Sequence, residues 1–443
     1  MLHDRRAFIE TVASGATLAV TAGTTEAGGA QSNPPGDVLA WRREFPALHQ
    51  HVNGHPLAYL DSAATTLRPR DVIDAISRFY EGDNANPADS LHTLARRAAR
   101  QYGAARTRVA TFLNASDASE VIFTKGTTEA INLVASAWGP ANLGAGDEIV
   151  LTIAEHYSNL LPWRALAERR GAVIRTVDVD DDGSLRPERV RDALSPRTRL
   201  VAFSHVSNVL GLINPAADIC AVARARQIPV LIDAAQSAPH LALDVQALGC
   251  DFLAWSSHKL LGPMGVGVLW SRRDHLDRMP PYQLGSNMAH EVDATSARFE
   301  HAALKYQAGT PNVAGPIGLA VALDLLARIG FDALGRHDAA LVDHARERFA
   351  RVPGLLILGT MSAGRPRVPV FSVALRGVPA AQLVQALDRE GIAVRGGDMA
   401  ALPLLERFGV HEATRASCYV YTTTDEIDHL TEVLRSESRR TVA

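Results

Sequence analysis

The chain has 443 residues, of which 47% are hydrophobic and 21% are charged, a composition typical of a folded chain with a large core and enough length for two domains. Its net charge of −3 argues against a general affinity for nucleic acid. The three cysteines, Cys220, Cys250 and Cys418, form neither a disulfide framework nor a metal-ligand spacing, and no segment is apolar enough to predict a membrane span.

The first thirty residues have a composition of their own. Arg5 and Arg6 precede a weakly apolar run rich in Ala, Gly and Thr, and a small-residue stretch, 27–30, follows that run. This pattern is typical of a twin-arginine export signal over residues 1–30, which predicts a periplasmic or exported protein. The alternative is an N-terminal extension of a cytoplasmic protein. Residues 31–40 have the Pro, Gly and Ser content of a linker.

Strands and helices alternate from about Glu120 to Trp270, which predicts an α/β fold with a mainly parallel sheet. Helices are predicted before that region, over 69–81 and 91–113. The elements that follow predict a smaller α+β domain. We therefore expect a large domain over 41–315, whose N-terminal part packs on the small domain, and a small C-terminal domain over 316–443.

Lys259 lies in the turn between two apolar runs. Burial of a lysine is unfavourable because desolvation disfavours the ammonium form. One chemistry that uses such a lysine is Schiff-base formation, where a depressed pKa makes the amine nucleophilic. The alternative is a lysine at a strand end that reaches water.

Asp233 favours the catalytic interpretation of Lys259. It ends the short apolar strand 229–233, and in open α/β sheets ligands bind at the carboxyl ends of strands. A carboxylate and a later strand-end lysine suit pyridoxal phosphate (PLP), because the lysine can hold the aldehyde carbon and the acid can keep the pyridine nitrogen protonated. The sequence therefore predicts PLP as the cofactor.

Several separated motifs resemble those of the class V aminotransferases, enzymes of PLP fold type I. The motifs are Gly126-Thr127-Thr128-Glu129, Asp233-Ala234-Ala235-Gln236, Ser256-Ser257-His258-Lys259 and Gly262-Pro263-Met264-Gly265. Within that family the chain is most similar to the SUF-type cysteine desulfurases and selenocysteine lyases, from about Leu57 to Leu434. The resemblance implies a large domain with a mainly parallel sheet, a smaller α+β C-terminal domain, and a homodimer that acts on a small L-amino acid.

The resemblance also assigns roles around the cofactor. It implies that Lys259 binds PLP and acts as the base, that Asp233 contacts the pyridine nitrogen, and that His156 stacks on the ring. Asn208 matches the residue that bonds the phenolic oxygen of PLP, with Gln236 as its partner. The residues assigned to the cofactor phosphate are Thr127, Thr128, Ser256, His258 and, from the neighbouring subunit, Thr310.

Three further residues are implied to face the substrate. Arg415 matches the arginine that forks the substrate carboxylate, and Arg395 matches a second active-site arginine. Without the resemblance, both arginines would be interpreted as partners in surface salt bridges. Similar enzymes have a substrate-facing histidine at the position of His92, preceded by His-Arg-Gly, where this chain has Ala-Asp-Ser at 88–90.

The loop over 395–403 departs from the cysteine desulfurases. Their pattern ends in a cysteine whose thiolate takes sulfur from the PLP-bound substrate, and the matching position here is Ala400. Cys418 is predicted on a strand, on the face opposite Arg415. The cysteines that we predict to be structural are Cys220, Cys250 and Cys418.

These features predict a PLP enzyme without persulfide chemistry. A C–S or C–Se lyase-type reaction on a small L-amino acid is favoured, with Lys259 as the base at Cα. Transamination or epimerisation, as in the isopenicillin N epimerase branch of class V, needs only proton movement and stays open. A desulfurase with a displaced cysteine and a catalytically silent binding protein also stay open, although the intact set of Lys259, Asp233, His156 and Arg415 argues against the silent protein.

Overall fold

The structure is a computed structural model that describes residues 38–87, 91–362 and 364–442. The predicted export signal and most of the predicted linker therefore lie outside the described residues.

The strands and helices follow one another in the alternating order that the sequence predicts. In chain order, the strands are β1 His51–Val52, β2 His55–Pro56, β3 Ala58–Tyr59, β4 Val121–Thr124, β5 Glu148–Thr152, β6 Val173–Val177, β7 Thr198–Ser204, β8 Val230–Asp233, β9 Phe252–Ser256, β10 Gly267–Ser271, β11 Ala289–Val292, β12 Ala297–Phe299, β13 Leu355–Ile357, β14 Val370–Leu375, β15 Ile392–Ala393, β16 Arg395–Gly397 and β17 Ala413–Ser417. The α-helices are α1 Arg70–Arg78, α2 Thr93–Phe112, α3 Thr127–Ala137, α4 Gly139–Asn142, α5 Leu161–Arg170, α6 Pro187–Ala193, α7 Ala216–Arg224, α8 Val245–Leu248, α9 Arg273–Arg278, α10 Ala314–Ile329, α11 Phe331–Phe349, α12 Ala380–Arg389, α13 Leu402–Arg407 and α14 Thr424–Val442.

A seven-stranded sheet forms the centre of the large domain. Its strand order is β4-β10-β9-β8-β7-β5-β6, and only β10 runs antiparallel to its neighbours. The predicted mainly parallel sheet is therefore confirmed. Because the central parallel strands share one direction, their carboxyl ends meet at the same edge of the sheet.

Helices cover both faces of this sheet, so its central strands are apolar on both sides. Successive residues of β7 show the division: Val201 and Phe203 belong to the core on one face, and Leu200 and Ala202 belong to the core on the other. The period of two along a strand explains this division, since neighbouring side chains point to opposite faces.

The small domain is built on the antiparallel sheet β13-β14-β17-β16, with its core against α11, α12 and α14. The N-terminal segment packs here as well, because β3 pairs with β15 and Leu60 lies in the same core. Helix α10, by contrast, packs on the large domain through residues such as Leu319, Leu323 and Leu326. The two cores therefore separate within α11, later in the chain than the boundary at 315/316 that the sequence predicts.

Within the described parts of the chain, every helix is too short or too polar to cross a membrane.

Candidate active site

A cavity of about 470 Å³ lies at the carboxyl edge of the large sheet, between the two domains. Its volume falls in the range of about 300–1,000 Å³ that is usual for small-molecule sites. Strands β7, β8 and β9 end beside it, and the small domain supplies the loop after β16 and a side chain from β17. The residues that line it include Thr127, Thr128, His156, Asn208, Asp233, Gln236, Ser256, His258, Lys259, Arg395, Ala400 and Arg415.

Lys259 reaches the cavity from a short 3-10 turn, Ser257–Lys259, that directly follows β9. Burial lowers the pKa of its amine to about 8, an effect that the negative charge of Asp233 opposes and that the positive charges of Arg415 and Arg395 reinforce. An amine with this pKa is about one tenth neutral at pH 7, far more than an ordinary lysine, and the neutral form is the one that a nucleophile or a base requires.

Asp233 is the last residue of β8 and is buried at the floor of the cavity. One carboxylate oxygen, Oδ1, accepts a hydrogen bond from the backbone N–H of Ala235 over 2.9 Å. Burial raises the pKa of this carboxyl, whereas that hydrogen bond and the positive charge of Lys259 oppose the rise. A buried carboxylate in this position is ready to pair with a cationic ligand group.

His156 lines the same cavity as Lys259, at the start of the turn Tyr157–Asn159. Its Nδ1 accepts a hydrogen bond from the backbone N–H of Ser158 over 3.1 Å. Burial, and after it the positive charges of Lys259 and Arg415, lower the pKa of the imidazole to about 4. The ring is therefore neutral at physiological pH and presents an aromatic face, as a stacking residue needs.

An anion cradle is formed where α3 begins beside the end of β9. The Oγ of Ser256 accepts a hydrogen bond from the backbone N–H of Thr127 over 2.8 Å and lies 2.7 Å from its hydroxyl. The hydroxyl of Thr128 lies 2.7 Å from that of Ser158. Hydroxyls together with the free N–H groups of a helix start favour a phosphate.

Two glycines allow this cradle to form. A Cβ on Gly267 of β10 would lie 2.4 Å from the Cα of Gly126, the residue that precedes α3. Only a residue without a side chain permits this close approach of two backbones. The start of α3 is thereby held against the sheet beside Ser256.

Asn208 and Gln236 both line the cavity, but their amides bond to different backbone segments. The Nδ2 of Asn208 donates to the carbonyl of Met399 over 2.9 Å, and the Nε2 of Gln236 donates to the carbonyl of Ala63 over 2.8 Å. These two hydrogen bonds hold flanking loops at the cavity rim. The contact of Asn208, with Gln236 as its partner, to the phenolic oxygen of PLP stays a prediction.

Arg415 and Arg395 lie on the small-domain side of the cavity and share Asp61. Arg395 donates to both carboxylate oxygens of Asp61, over 3.2 and 2.8 Å, and Arg415 approaches Asp61 at 3.5 Å. Burial lowers the pKa of Arg415 to about 10, which leaves it cationic at neutral pH. Its buried Nε has no hydrogen-bond partner among the described residues, so this guanidinium retains a donor for an anion.

The structure does not bring all of the predicted residues into one cavity. His258 lines it, while the carbonyl of His258 anchors the loop at Thr66. His92 is exposed outside the cavity, where its Nδ1 caps the start of α2 by accepting from the N–H of Ala95 over 3.3 Å. Thr310 is also exposed and accepts a hydrogen bond from Asn86, so its predicted reach to a neighbouring subunit stays a prediction.

The loop that carries Ala400 closes one wall of the cavity. Met399 and Ala400 both have a φ of +54°, a left-handed conformation that costs a non-glycine residue energy. Hydrogen bonds hold the loop in place: the N–H of Tyr157 donates to the carbonyl of Ala400 over 2.7 Å, and the hydroxyl of Tyr157 donates to Asp398 over 2.6 Å. The loop is thus fixed to the large domain at several points.

Behind the cavity wall, the buried carboxylate of Glu155 ties three elements together. It accepts hydrogen bonds from the hydroxyl of Thr152 at the end of β5, from the N–H and hydroxyl of Ser204 at the end of β7, and from the amide of Asn159 before α5. Burial raises the pKa of Glu155 to about 7. No role was predicted from the sequence for Glu155, Ser204 or Asp398, although Glu155 directly precedes the predicted His156 and Ser204 ends a predicted strand.

The cysteines lie away from the cavity, in the protein core. Cys220 and Cys250 are buried in the core of the large domain, and Cys418 is buried in the core of the small domain. Burial raises the pKa of Cys220 to about 12 and raises the pKa values of the other two well above the ordinary range for a thiol. Their position agrees with the predicted structural role.

These observations fit PLP as a ligand of the cavity. Lys259 offers an amine for its aldehyde, Asp233 a carboxylate for its pyridine nitrogen, and His156 a neutral ring for its face. The cradle at Thr127, Thr128 and Ser256 offers donors for its phosphate.

Comparison with known proteins agrees with this fit. A family model described as aminotransferase class-V matches residues 58–430. A cysteine desulfurase of Synechococcus elongatus is 43% identical over 399 residues, which make up 90% of this chain and 63% of that protein. A probable cysteine desulfurase of Halalkalibacterium halodurans is 42% identical over 393 residues, which make up 89% of this chain and 96% of that protein.

Solved structures with the same fold lead to the same family. The cysteine desulfurase CsdA of Escherichia coli, in an S-sulfonic acid form, matches with a TM-score of 0.83 and 35% identity, over 91% of this chain and 98% of that one. A cysteine desulfurase of Thermococcus onnurineus in its apo form matches with a TM-score of 0.84 and 32% identity, over 89% of this chain and 98% of that one. The chain therefore belongs to the class V aminotransferase family of PLP-dependent enzymes.

Proposed function

We propose that this enzyme acts on a small L-amino acid in a C–S or C–Se lyase-type reaction that uses no persulfide on a loop cysteine. The observation that carries the proposal is Ala400, which lines the cavity in the loop where the resemblance puts the desulfurase cysteine. An alanine cannot accept sulfur, and the thiols of the chain are buried in the two cores.

Different residues of the cavity have different roles in such a reaction. PLP supplies an electron sink for the bonds at the substrate Cα. Arg415 binds the substrate carboxylate with a guanidinium fork, which fixes the amino acid relative to Lys259. Lys259 takes the proton from Cα and can return it there, since its pKa of about 8 keeps both protonation states accessible near neutral pH.

The remaining groups hold the geometry of that step. Asp233 would hold the pyridine nitrogen with a buried negative charge, and the neutral ring of His156 would pack on the cofactor and keep water away from it. A leaving group that departs as sulfite or elemental selenium with alanine, or as sulfide or selenide with pyruvate and ammonia, needs no carrier thiol on the enzyme.

Product analysis tests the proposal. Purified holoenzyme is mixed separately with L-cysteine, L-cysteine sulfinate, L-selenocysteine and a panel of ordinary L-amino acids. We expect alanine together with elemental sulfur, sulfite or elemental selenium, or, if the reaction is a β-elimination, pyruvate and ammonia together with the free sulfur or selenium leaving group. Formation of pyridoxamine phosphate with a keto acid would contradict the lyase and indicate an aminotransferase. Inversion at Cα without loss of the side chain would indicate an epimerase.

The second candidate function is a class V aminotransferase or epimerase, and the position of Lys259 favours it. An amine with a pKa of about 8 beside Asp233 suffices for proton transfer at Cα, and neither reaction requires a thiol.

The cysteines provide a separate test of the missing persulfide. A variant with Cys220, Cys250 and Cys418 all replaced by alanine should keep the activity of the parent chain, and no persulfide should be trapped by alkylation of the parent. The Ala400→Cys variant is the positive control, since its thiol would lie in the cavity wall. A persulfide on a native cysteine, or loss of sulfur release in the folded triple variant, would refute the proposal.

We also propose that residues 1–30 direct export. The support is the position of Arg5 and Arg6 before a weakly apolar run. Replacing both arginines by lysine should leave the enzyme inside the cell while PLP binding stays intact. An unchanged distribution between cell fractions would reject the twin-arginine interpretation.

A further inference from the structure

Two arginines of the cavity lie side by side on neighbouring strands. Strands β16 and β17 pair antiparallel, and Arg395 lies directly opposite Arg415 in their register. Like charges at directly opposite positions destabilise a sheet, because their side chains share one of its faces. Both arginines also line the cavity. A counter-ion close to them is therefore required to stabilise the pair.

Asp61 is that counter-ion, and its backbone is bound to the end of β17. The N–H of Ser417 donates to the carbonyl of Leu60 over 2.7 Å, and the N–H of Ser62 donates to the carbonyl of Ser417 over 3.1 Å. These two bonds lie on either side of Asp61 in the chain and hold it beside the arginines. Its side chain is only 14% exposed. The carboxylate of Asp61 is thus a fixed negative charge at the small-domain side of the site.

Asp61 binds the two arginines unequally. The guanidinium of Arg395 donates to both of its carboxylate oxygens, over 3.2 and 2.8 Å, whereas Nη2 of Arg415 lies 3.5 Å from Oδ1. The contact with Arg395 is a bidentate fork, which is the strong geometry for these groups. The contact with Arg415 is longer than the roughly 2.7–2.9 Å of a charge-assisted hydrogen bond. Asp61 is therefore held by Arg395.

Arg415 keeps donors for another anion in this arrangement. Its Nη1 donates to the carbonyl of Asn208 over 3.0 Å, and its buried Nε has no hydrogen-bond partner among the described residues. Nε and Nη2 form the side of the guanidinium that can donate two parallel bonds to one carboxylate. Because Asp61 approaches Nη2, Asp61 and a substrate carboxylate would compete for the same side of Arg415.

We propose that Arg395 acts on the substrate indirectly, by holding Asp61 away from Arg415 and so leaving Arg415 free to bind the carboxylate of an L-amino acid. Arg395 is then a positioning residue. Without it, a small movement would bring Asp61 into hydrogen-bond distance of Arg415, and the enzyme's own carboxylate would block the substrate's. The alternative is direct contact between Arg395 and the substrate. This inference rests on the proposed function, because it needs an L-amino acid whose carboxylate binds Arg415.

The binding of L-alanine, a product of the proposed lyase reaction, provides the measurement. It is titrated into the holoenzyme while the visible absorption of the bound cofactor is followed. L-Alaninamide is the matched probe, since it has the same shape and lacks the negative carboxylate. Arg395→Gln should weaken the binding of L-alanine about ten- to a hundredfold, the effect of one charge-assisted hydrogen bond from Asp61 to Arg415. The affinity for L-alaninamide should stay the same.

The Asp61→Asn substitution distinguishes the indirect role from direct contact. Added to Arg395→Gln, it removes the competing carboxylate and should restore the parent's affinity for L-alanine. Direct contact between Arg395 and the substrate predicts no such recovery. Asp398→Asn, added to Arg395→Gln in the same way, is the control, because Asp398 also lines the cavity. It restores the net charge but leaves Asp61 in place, so L-alanine should still bind weakly.

The single variant Asp61→Asn gives a second test, which does not depend on the folding of a double variant. It should bind L-alanine at least as tightly as the parent. Weaker binding by Asp61→Asn, parent-like binding by Arg395→Gln, or recovery with Asp398→Asn as complete as with Asp61→Asn overturns the inference and leaves the proposed function in place. A cofactor band that no amino acid perturbs in the parent enzyme contradicts both the proposed function and the inference.

Discussion

The chemistry of this site depends on how a few charged side chains change one another's protonation. Lys259 is surrounded by Asp233, Arg395 and Arg415, and burial dominates the sum of their effects. His156 responds in the same sense, because Lys259 and Arg415 add to the effect of burial. Near pH 7 the imidazole is therefore neutral and serves as an aromatic surface, whereas the amine is mainly protonated and keeps a neutral fraction, which grows towards pH 8, as nucleophile and base.

The first prediction concerns the pH dependence of cofactor capture. Only the neutral amine of Lys259 can attack the aldehyde, so the rate at which apoenzyme binds PLP covalently should rise with pH and level off above a midpoint of about 8. Stopped-flow absorbance over a pH series measures this rate. A midpoint near the ordinary lysine value of about 10.4 would show that burial does not depress this pKa.

At the residue scale, the sequence predicts which side chains belong to the site when they end a strand or belong to a motif. Lys259, Asp233, His156 and Arg415 were predicted to share a site, and the structure places all four on one cavity. The contact between Asp398 and Tyr157 could not be predicted from the sequence, because the two residues lie far apart in the chain. No local pattern predicts the direction in which the loop after β16 turns. His92 was assigned by the resemblance, and in the described chain it caps a helix outside the cavity.

At the scale of elements, Glu155 joins the ends of β5 and β7 to the segment before α5. One of its oxygens accepts from both the amide of Asn159 and the hydroxyl of Ser204. In Glu155→Gln, an amide NH₂ at that position would face the NH₂ of Asn159 without an acceptor. We expect the free energy of unfolding to fall by about 1–3 kcal/mol, the usual cost of a buried unsatisfied donor.

The loss of stability in Glu155→Gln should depend on pH. The pKa of Glu155 is raised from 4.5 to about 7 on folding, so its contribution to stability is complete below pH 4.5 and is lost as the pH rises through 7. The defect of Glu155→Gln relative to the parent should therefore be larger at about pH 5 than at about pH 8 in denaturant unfolding. Glu168→Gln, at an exposed position of α5, is the control, with an expected change within about 0.5 kcal/mol. Equal stability of both variants at every pH would contradict the role of Glu155.

The loop after β16 stores backbone strain at Ala400. Glycine adopts a φ of +54° without steric cost, so Ala400→Gly should raise the free energy of unfolding by up to about 1 kcal/mol. The neighbouring Ala401 has a φ of −146° and is fully buried, so Ala401→Gly should be destabilising. Thermal unfolding of the two variants measures this difference. If Ala400→Gly loses about as much stability as Ala401→Gly, the backbone of Ala400 is not strained.

At the scale of the whole molecule, we propose that two chains share each site. Thr310 is exposed on the surface beside Asn86, and the resemblance assigns it to the cofactor phosphate of a neighbouring subunit. Thr310→Ala should then weaken PLP binding about tenfold, the effect of one hydrogen bond to a charged group.

Mixed dimers distinguish sharing from action within one chain. In a dimer of one Lys259→Ala chain and one Thr310→Ala chain, the site that keeps Lys259 receives its Thr310 from the partner and should bind PLP with the parent's affinity. Differently tagged chains allow this dimer to be purified and titrated. A weakened site, or a chain that is monomeric in solution, would reject the shared site.

The sequence is sufficient to predict the overall fold, but it is not sufficient to place the domain boundary. Alternating strands and helices over Glu120–Trp270 indicated a mainly parallel sheet, because apolar strands with intervening helices have few other arrangements. The boundary depends on which domain α10 packs against. Its apolar face would look the same in the sequence for either domain. Leu319 and Leu326 pack on the large domain, and only the tertiary structure reveals this choice.

The burial of the three thiols has a consequence for survival under oxidative stress. Hydrogen peroxide reacts with thiolates that it can reach, and Cys220, Cys250 and Cys418 are protonated and enclosed in the cores. An enzyme that relies on a loop thiolate is inactivated when that sulfur becomes a sulfinic or sulfonic acid. If the proposed reaction without a loop thiolate holds, the loop with Ala400 offers the oxidant no such target, and the enzyme should keep its activity in hydrogen peroxide as long as its three buried thiols stay enclosed.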